Sequence, residues 1–224
     1  MTISKHVALA RSVEGRTISA HVFSRRARGG LTVVILGGFH GDEPKSVTVV
    51  RRLAELLGES PELRGSTRWV IAPLINPDGY SRRRRRNARN VDINRNFPTD
   101  DWTQTSRRSR MYGGPKAASE PETRAVMKII ERYQPARIVT VHSIGLGRFC
   151  NNFDGPGKRL AAAMRRRNGY PVAGSIGYPT PGSFGNWAGY ELHIPTITLE
   201  LPSLDSAKRC WEDNREALLR VGGT

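Results

Sequence analysis

Short apolar runs alternate with amphipathic ones along the chain. "LTVVIL" (Leu31–Leu36), "RWVIAPLI" (Arg68–Ile75), "ARIVTVHS" (Ala136–Ser143) and "IPTITLEL" (Ile194–Leu201) read as strands. Between them, "SVTVVRRLAELLG" (Ser46–Gly58), "SEPETRAVMKIIERY" (Ser119–Tyr133), "GKRLAAAMRRRN" (Gly157–Asn168) and "SAKRCWEDNREALLRV" (Ser206–Val221) place apolar residues at helical spacing. Ser119 and Glu122 have the spacing of a capping box. This alternation predicts an α/β fold: a three-layer sandwich around a central mixed, largely parallel sheet. No repeat or linker interrupts it, so one domain is expected over residues 1–224. The polar stretch from Asn76 to Lys116 is too long for a plain connection, and such loops are usually functional.

Composition narrows the class. A chain of 224 residues with 38% hydrophobic residues is long enough for a real core. No apolar run reaches the roughly 20 residues that span a bilayer. The start, "MTISKHVALARSVEGR", lacks the apolar region of a signal peptide. A cytoplasmic protein made without a signal or pro-segment is therefore expected. Cys150 and Cys210 are the only cysteines and lack CxxC spacing, which fits a reducing compartment. The net charge of +16 steers anionic partners toward the surface. "RRRRR" (Arg82–Arg86) and "RRR" (Arg165–Arg167) raise nucleic acid as a partner, yet no zinc-finger, RRM or basic-zipper pattern accompanies them. A solvated, arginine-rich surface is the plainer reading.

Candidate chemistry gathers at the ends of the predicted strands. His40 and Glu43 follow the first, His142 ends another, and Glu200 lies near the end of the last. Sites in open α/β sheets form beyond the carboxyl ends of strands. Two histidines and a glutamate are a common ligand set for catalytic zinc, with one position left for water. Singly, Glu43 reads as a first-turn helix glutamate and His142 as a core histidine. Together, at strand ends, they read as a metal site.

"GGFHGDEPKS", "NPDGYSRRRRRNARNVDINRNFP", "SEPET", "VHS" and "YPTPGSFGNWAGYELHIPTITLEL" together resemble the zinc carboxypeptidase family. The short form and "YPTPGSFGNW" most resemble its bacterial murein tripeptide amidases, which act on γ-D-glutamyl-meso-diaminopimelate. The likeness runs from about Ser12 to Leu201. It implies one zinc per chain, held by His40, Glu43 and His142, with Glu200 as general base. It implies that Asn94 and Arg95 bind the terminal carboxylate of a small peptide, and that Asp92 orients the first zinc histidine. Tyr178 matches the tyrosine that closes over substrate. The arginine that polarises the scissile carbonyl falls within "RRRRRN", at Arg85 or, with a shift, at Arg84 or Arg86.

The chain also departs from the digestive members of that family. Ile144 and Gly145 follow "HS", and Gly185 stands seven residues after Tyr178, where those enzymes place a specificity side chain. Gly185 leaves depth in the pocket. Diaminopimelate ends in an ammonium and a carboxylate, so its pocket needs polar groups. Asn151, Asn152 and Asp154 in "CNNFDGP" are candidates to reach the pocket wall, and a plain turn at "DGP" is the alternative. The expected function is hydrolysis of the γ-D-glutamyl–diaminopimelate amide in cell-wall recycling. Alternatives are another small-peptide metallocarboxypeptidase, an N-acyl amino acid deacylase or, from another class, a basic nucleic-acid-binding protein.

Overall fold

The structure, a computed structural model, describes residues 2–25, 30–145 and 147–223. Its strands are β1 (Thr2–Arg11), β2 (Thr17–Arg25), β3 (Thr32–Gly37), β4 (Arg68–Ala72), β5 (Arg137–Ile144), β6 (Cys150–Asp154), β7 (Val172–Ala173) and β8 (Thr196–Pro202). The helices are α1 (Pro44–Glu59), α2 (Pro77–Ser81), α3 (Pro121–Tyr133), α4 (Lys158–Asn168), α5 (Phe184–Asn186) and α6 (Ala207–Val221). All eight strands form one sheet, in the order β1-β2-β4-β3-β5-β8-β6-β7.

The four central strands, β4, β3, β5 and β8, are parallel. On one side β2 joins β4 antiparallel, and β1 pairs antiparallel with β2. On the other, β6 runs antiparallel to β8 and β7 parallel to β6. The sheet is thus mixed around a parallel centre. All residues of β3 are buried, as expected of a strand covered on both faces. Val33 and Ile35 pack with Leu53, Leu57, Met164 and Leu218 from α1, α4 and α6. Val34 and Leu36 face the other way, toward Val126 and Ile129 of α3 and toward Phe97 and Phe184. Those two packings make the three layers.

Several boundaries move for identifiable reasons. β4 ends at Ala72, before Pro73, which has no N–H to give the ladder. Helix α1 starts at Pro44, because proline is well placed in a first turn. The capping box at Ser119 and Glu122 does not form. Helix α3 begins at Pro121 with Glu120 at its N-cap, and the Ser119 hydroxyl donates to Glu120. Glu122 instead accepts from Asn87 and from the Val13 amide, a tertiary use of its carboxylate. The hairpin β1–β2 and the strands β6 and β7 are additional to the expected elements. Ile18, Ala20 and Val22 of β2 are buried and Thr17, Ser19 and His21 less so, a period of two that ends at the buried Phe23.

The stretch from Asn76 to Lys116 is ordered without much regular structure, containing only α2 and a single 3₁₀ turn at Ile93–Arg95. Three buried asparagines satisfy its backbone instead. Asn76 donates to the carbonyls of Phe39 and Arg85. Asn87 accepts from the amides of Arg89 and Val91. Asn96 donates to the Gly113 and Lys116 carbonyls.

Candidate active site

The turn after β3 carries the first two expected ligands. Its shape depends on close backbone approach: a Cβ on Gly41 would lie 2.0 Å from the carbonyl carbon of Gly79 in α2. Only glycine allows the "HGDE" turn to rest on "PDG". Glu43 occupies the N-cap of α1, yet makes no capping hydrogen bond. Its carboxylate turns instead to the strand ends. Oε1 lies 2.8 Å from Nδ1 of His40, and Oε2 lies 3.2 Å from Nδ1 of His142 and accepts from the Ser143 amide at 3.0 Å.

His40 Nδ1 and His142 Nδ1 are 3.3 Å apart. Two nitrogens each about 2.0–2.1 Å from a tetrahedral zinc would stand about 3.3–3.4 Å from one another. The ligand atoms of His40, Glu43 and His142 all lie within 4.8 Å of each other. Two ring nitrogens and a carboxylate facing one point need a cation or a proton among them. The donor set fits a divalent metal with nitrogen and oxygen preference.

Asp92 sits behind the group. Its Oδ1 is 3.1 Å from Nε2 of His40, which leaves Nδ1 turned inward, and it also accepts from the Asn94 amide. Its Oδ2 accepts from Nε of Arg85 at 2.9 Å. One carboxylate therefore positions a ligand and an arginine together. Burial opposes its ionisation, but His40 and Arg85 outweigh burial and hold Asp92 well below the usual carboxylate range. Burial likewise opposes the charge on Glu43, and His40 and His142 overcome it and keep Glu43 ionised. Arg85 Nη1 lies 3.6 Å from Glu43.

Glu200 of β8 is in register with His142 of β5. It is buried, and burial, with the nearby Glu43 second, pushes its carboxyl up to about 8. A divalent cation beside it would favour the charged form. The ligand group, Glu200 and Arg85 line one end of a cavity of about 710 Å³.

The other expected residues reach the same cavity. Asn94 and Arg95 line it from the 3₁₀ turn. The Asn94 carbonyl oxygen of the side chain accepts from the Phe184 amide. Arg95 is buried and its Nε has no acceptor among the described residues. Tyr178 lies at the rim, 40% exposed, with the Arg148 guanidinium 6.0 Å from its ring centre. Gly185 lines the wall against Asp154, and an added Cβ would come within 2.4 Å of Asp154 Oδ2. Asp154 is the last residue of β6 and is buried in the cavity lining, so "DGP" is more than a turn. Burial pushes its carboxyl up to about 7, against a hydrogen bond from Thr198.

One expectation changes. Asn151 points away from the cavity, into a network with Asn168 and the Tyr170 carbonyl. Asn152, its neighbour, lines the cavity, because side chains alternate along β6. The arginine run is split: Arg82, Arg83 and Arg84 are exposed, while Arg85 and Arg86 are partly buried. Arg82 pairs with Glu14, Arg86 donates to the Ser109 carbonyl, and Arg85 alone of residues 82–86 lines the cavity. Thr198, Asp42, Arg110 and Arg148 also line it, without a motif that singles them out in the sequence.

Among the described residues, no helix is long and apolar enough to cross a membrane. The family model described as zinc carboxypeptidase matches residues 2–210. Murein peptide amidase A of Escherichia coli (strain K12) is 36% identical over 184 residues, covering 77% of this chain and 72% of that protein. The crystal structure of a murein-tripeptide amidase from Escherichia coli O157 matches with a TM-score of 0.78 at 29% identity, over 99% of this chain and 98% of that one. The carboxypeptidase A from Helicoverpa armigera shares the fold, with a TM-score of 0.84 at 21% identity over 99% of this chain and 68% of that one. The family implies zinc, and the His40, Glu43 and His142 group fits it. With that match over nearly the whole chain, the chain belongs to the zinc carboxypeptidase family.

Proposed function

We propose that this zinc-dependent hydrolase removes the C-terminal residue of a small peptide, and that its substrate is the γ-D-glutamyl–meso-diaminopimelate amide of murein tripeptide. One observation carries the reading: a single cavity joins the ligand group and Glu200 to a buried arginine with an unused N–H. The murein amidase relatives support the choice of peptide. Work in cell-wall recycling in the cytoplasm is part of the proposal. Two free, buried cysteines accord with a reducing compartment.

His40, Glu43 and His142 would hold the zinc. When bound, the metal supplies a Lewis acid that polarises a carbonyl and acidifies water. The protein's own groups do the rest. Glu200 takes a proton from the attacking water as its oxygen adds to the amide carbon. It returns that proton to the nitrogen as the C–N bond breaks, so the products are an acid and a free amine. Arg85, fixed by Asp92, offsets the charge that grows on the amide oxygen. Arg95 and Asn94 receive the terminal carboxylate, for which a planar guanidinium is well shaped. That contact restricts cleavage to the last residue. Tyr178, at the rim, closes over the bound peptide. Asp154, beside Gly185, faces the side chain of the leaving residue.

The test is direct. Zinc-loaded protein is incubated with L-alanyl-γ-D-glutamyl-meso-diaminopimelate and, separately, with N-acyl amino acids. Free diaminopimelate is the expected product. Release of amine from the N-acyl amino acids alone would overturn the reading in favour of a deacylase.

A further inference from the structure

Asp78 of α2 is fully buried, lies outside the cavity lining and has no part in the steps above. Its partners come from the tight turn between β1 and β2, 62 to 66 residues earlier in the chain. The Ser12 hydroxyl donates to Oδ1 at 2.7 Å, the Glu14 amide to Oδ2 at 3.0 Å and Nη1 of Arg16 to Oδ1 at 2.7 Å. The turn is closed on itself by the Arg16 amide, which donates to the Ser12 hydroxyl at 3.0 Å, and by the Ser12 amide, which donates to the Arg16 carbonyl at 2.8 Å. Burial opposes the charge on Asp78, and Ser12, Arg16 and the Glu14 amide outweigh it and hold the carboxyl below the usual carboxylate range. A buried carboxylate is costly unless its oxygens are filled, and here both have donors.

What this carboxylate holds is α2. A helix of five residues does not persist by itself, so its place depends on such tertiary bonds. The residues on either side of Asp78 bear on the active site. Asn76 donates to the carbonyl of Phe39, next to His40, and to the carbonyl of Arg85. Gly79 carries the arginine run. Its carbonyl accepts from the Arg84 amide at 2.9 Å, and a Cβ on it would lie 2.8 Å from the Arg84 carbonyl oxygen and 2.6 Å from that of Arg86. The backbone on both sides of Arg85 is therefore laid against α2, while Asp92 holds its guanidinium. Moving α2 would move the Arg85 backbone under a tethered side chain and re-aim Nη1. Displacing a catalytic group by about 1 Å costs on the order of 100-fold in rate.

We propose that Asp78 is a positioning residue for the hydrolysis: gripped by the Ser12–Arg16 turn, it anchors α2 and, through Asn76 and Gly79, sets where Arg85 stands at the scissile carbonyl. The inference rests on the role given to Arg85 above and deepens it. It makes a turn remote from the cavity part of what the reaction requires.

A double-mutant cycle tests this without assuming the murein peptide. It is run with zinc-loaded protein on whichever amide the wild type cleaves, the γ-glutamyl-diaminopimelate peptide or an N-acyl amino acid. Asp78→Ala and the milder Ser12→Ala are each made alone and together with Arg85→Ala. Asp78→Ala is expected to lower kcat on the order of 100-fold and Ser12→Ala about tenfold, with KM changed less than about threefold. In the Arg85→Ala background each should cost less than about threefold, because the group they position is gone. Equal losses in both backgrounds overturn the proposal, as does a wild-type kcat in Asp78→Ala. Where melting curves show that Asp78→Ala does not fold, Ser12→Ala decides by the same criterion. The NMR signal of the Arg85 Nε–H, assigned by its loss in Arg85→Ala, reads the position of the side chain without activity. Ser12→Ala should shift or broaden it, while zinc affinity, read against a chelator, stays within about threefold. An unmoved signal overturns the route through Arg85. A loss of zinc affinity of about tenfold or more assigns the effect to the His40 turn and overturns it as well. If wild type cleaves neither amide, the peptidase reading fails on its own and the NMR signal decides the anchoring.

Discussion

The two ends of the cavity treat charge in opposite ways. Around the expected ligands the charged groups Glu43 and Asp92 have partners. Glu43 meets His40, His142 and the Ser143 amide, and Asp92 meets His40, Arg85 and the Asn94 amide. At the floor, Asn152 and Asp154 are equally buried and keep unpaired oxygens. Burial therefore does not distinguish the two ends; satisfaction does. A network with its partners in place is rigid before substrate arrives, as preorganised electrostatics require. An unsatisfied pair gains its partner only from a ligand, as selectivity requires.

The contrast breaks most sharply at Glu200, which stands in register with His142 beside the ligand group. Glu200→Gln keeps the shape and removes the base. Turnover of a cleavable peptide should fall by about 10²–10⁴-fold, while metal analysis shows about one zinc per chain, as in wild type. Loss of the metal in this variant would move Glu200 into the ligand group and undo the division drawn here.

A smaller effect is expected at Asp92, where positioning and not chemistry is at stake. Asp92→Asn leaves the volume and weakens the hold on Nε2 of His40 and Nε of Arg85. Zinc affinity, read by competition with a chelator, should drop about 10- to 100-fold, as for other groups that orient metal-bound histidines. Unchanged affinity with reduced kcat would assign Asp92 to Arg85 alone.

The two ends also differed in how far the sequence disclosed them. The proposed ligands and base announce themselves, because His40 and Glu43 share one short turn, and His142 and Glu200 sit at strand ends that hydrophobic runs reveal. The arginine facing the cavity is harder to pick. Five consecutive arginines look alike, and only distant partners, Glu14 for Arg82 and Ser109 for Arg86, separate them. The floor is harder still. Whether Asn151 or Asn152 faces the cavity is a question of strand parity, and "CNNFD" has too little apolar character to be read as a strand. Likewise the order of the Asn76–Lys116 stretch comes from asparagine side chains replacing a hydrogen-bond ladder, a role that leaves no periodic trace. The β1–β2 hairpin did leave one, in the alternation of Ile18, Ala20 and Val22.

The smallest expected effect concerns stability and sharpens the comparison without substrate. Burial, against the hydrogen bond from Thr198, raises the Asp154 carboxyl from its ordinary 3.8 to about 7. The folded state therefore binds this proton more tightly than the unfolded chain does. The resulting stability is fully present below the unfolded value of 3.8 and is lost as pH rises through about 7. Across that interval the loss is on the order of 4 kcal/mol at most. Asp154→Asn carries no charge at any pH and should escape it. At about pH 5 the loss has only begun, so the advantage of Asp154→Asn over wild type should be small there, about 1–2 kcal/mol. At about pH 8 the variant should melt several degrees higher, at roughly 2–4 °C per kcal/mol for a chain of this size. The ligand group titrates identically in both proteins, so it cancels from the difference. A gap that stays constant with pH would show that the carboxyl is not held neutral by burial. A variant less stable at every pH would make Asp154 a partner the fold needs, and the floor would then be satisfied like the ligand end.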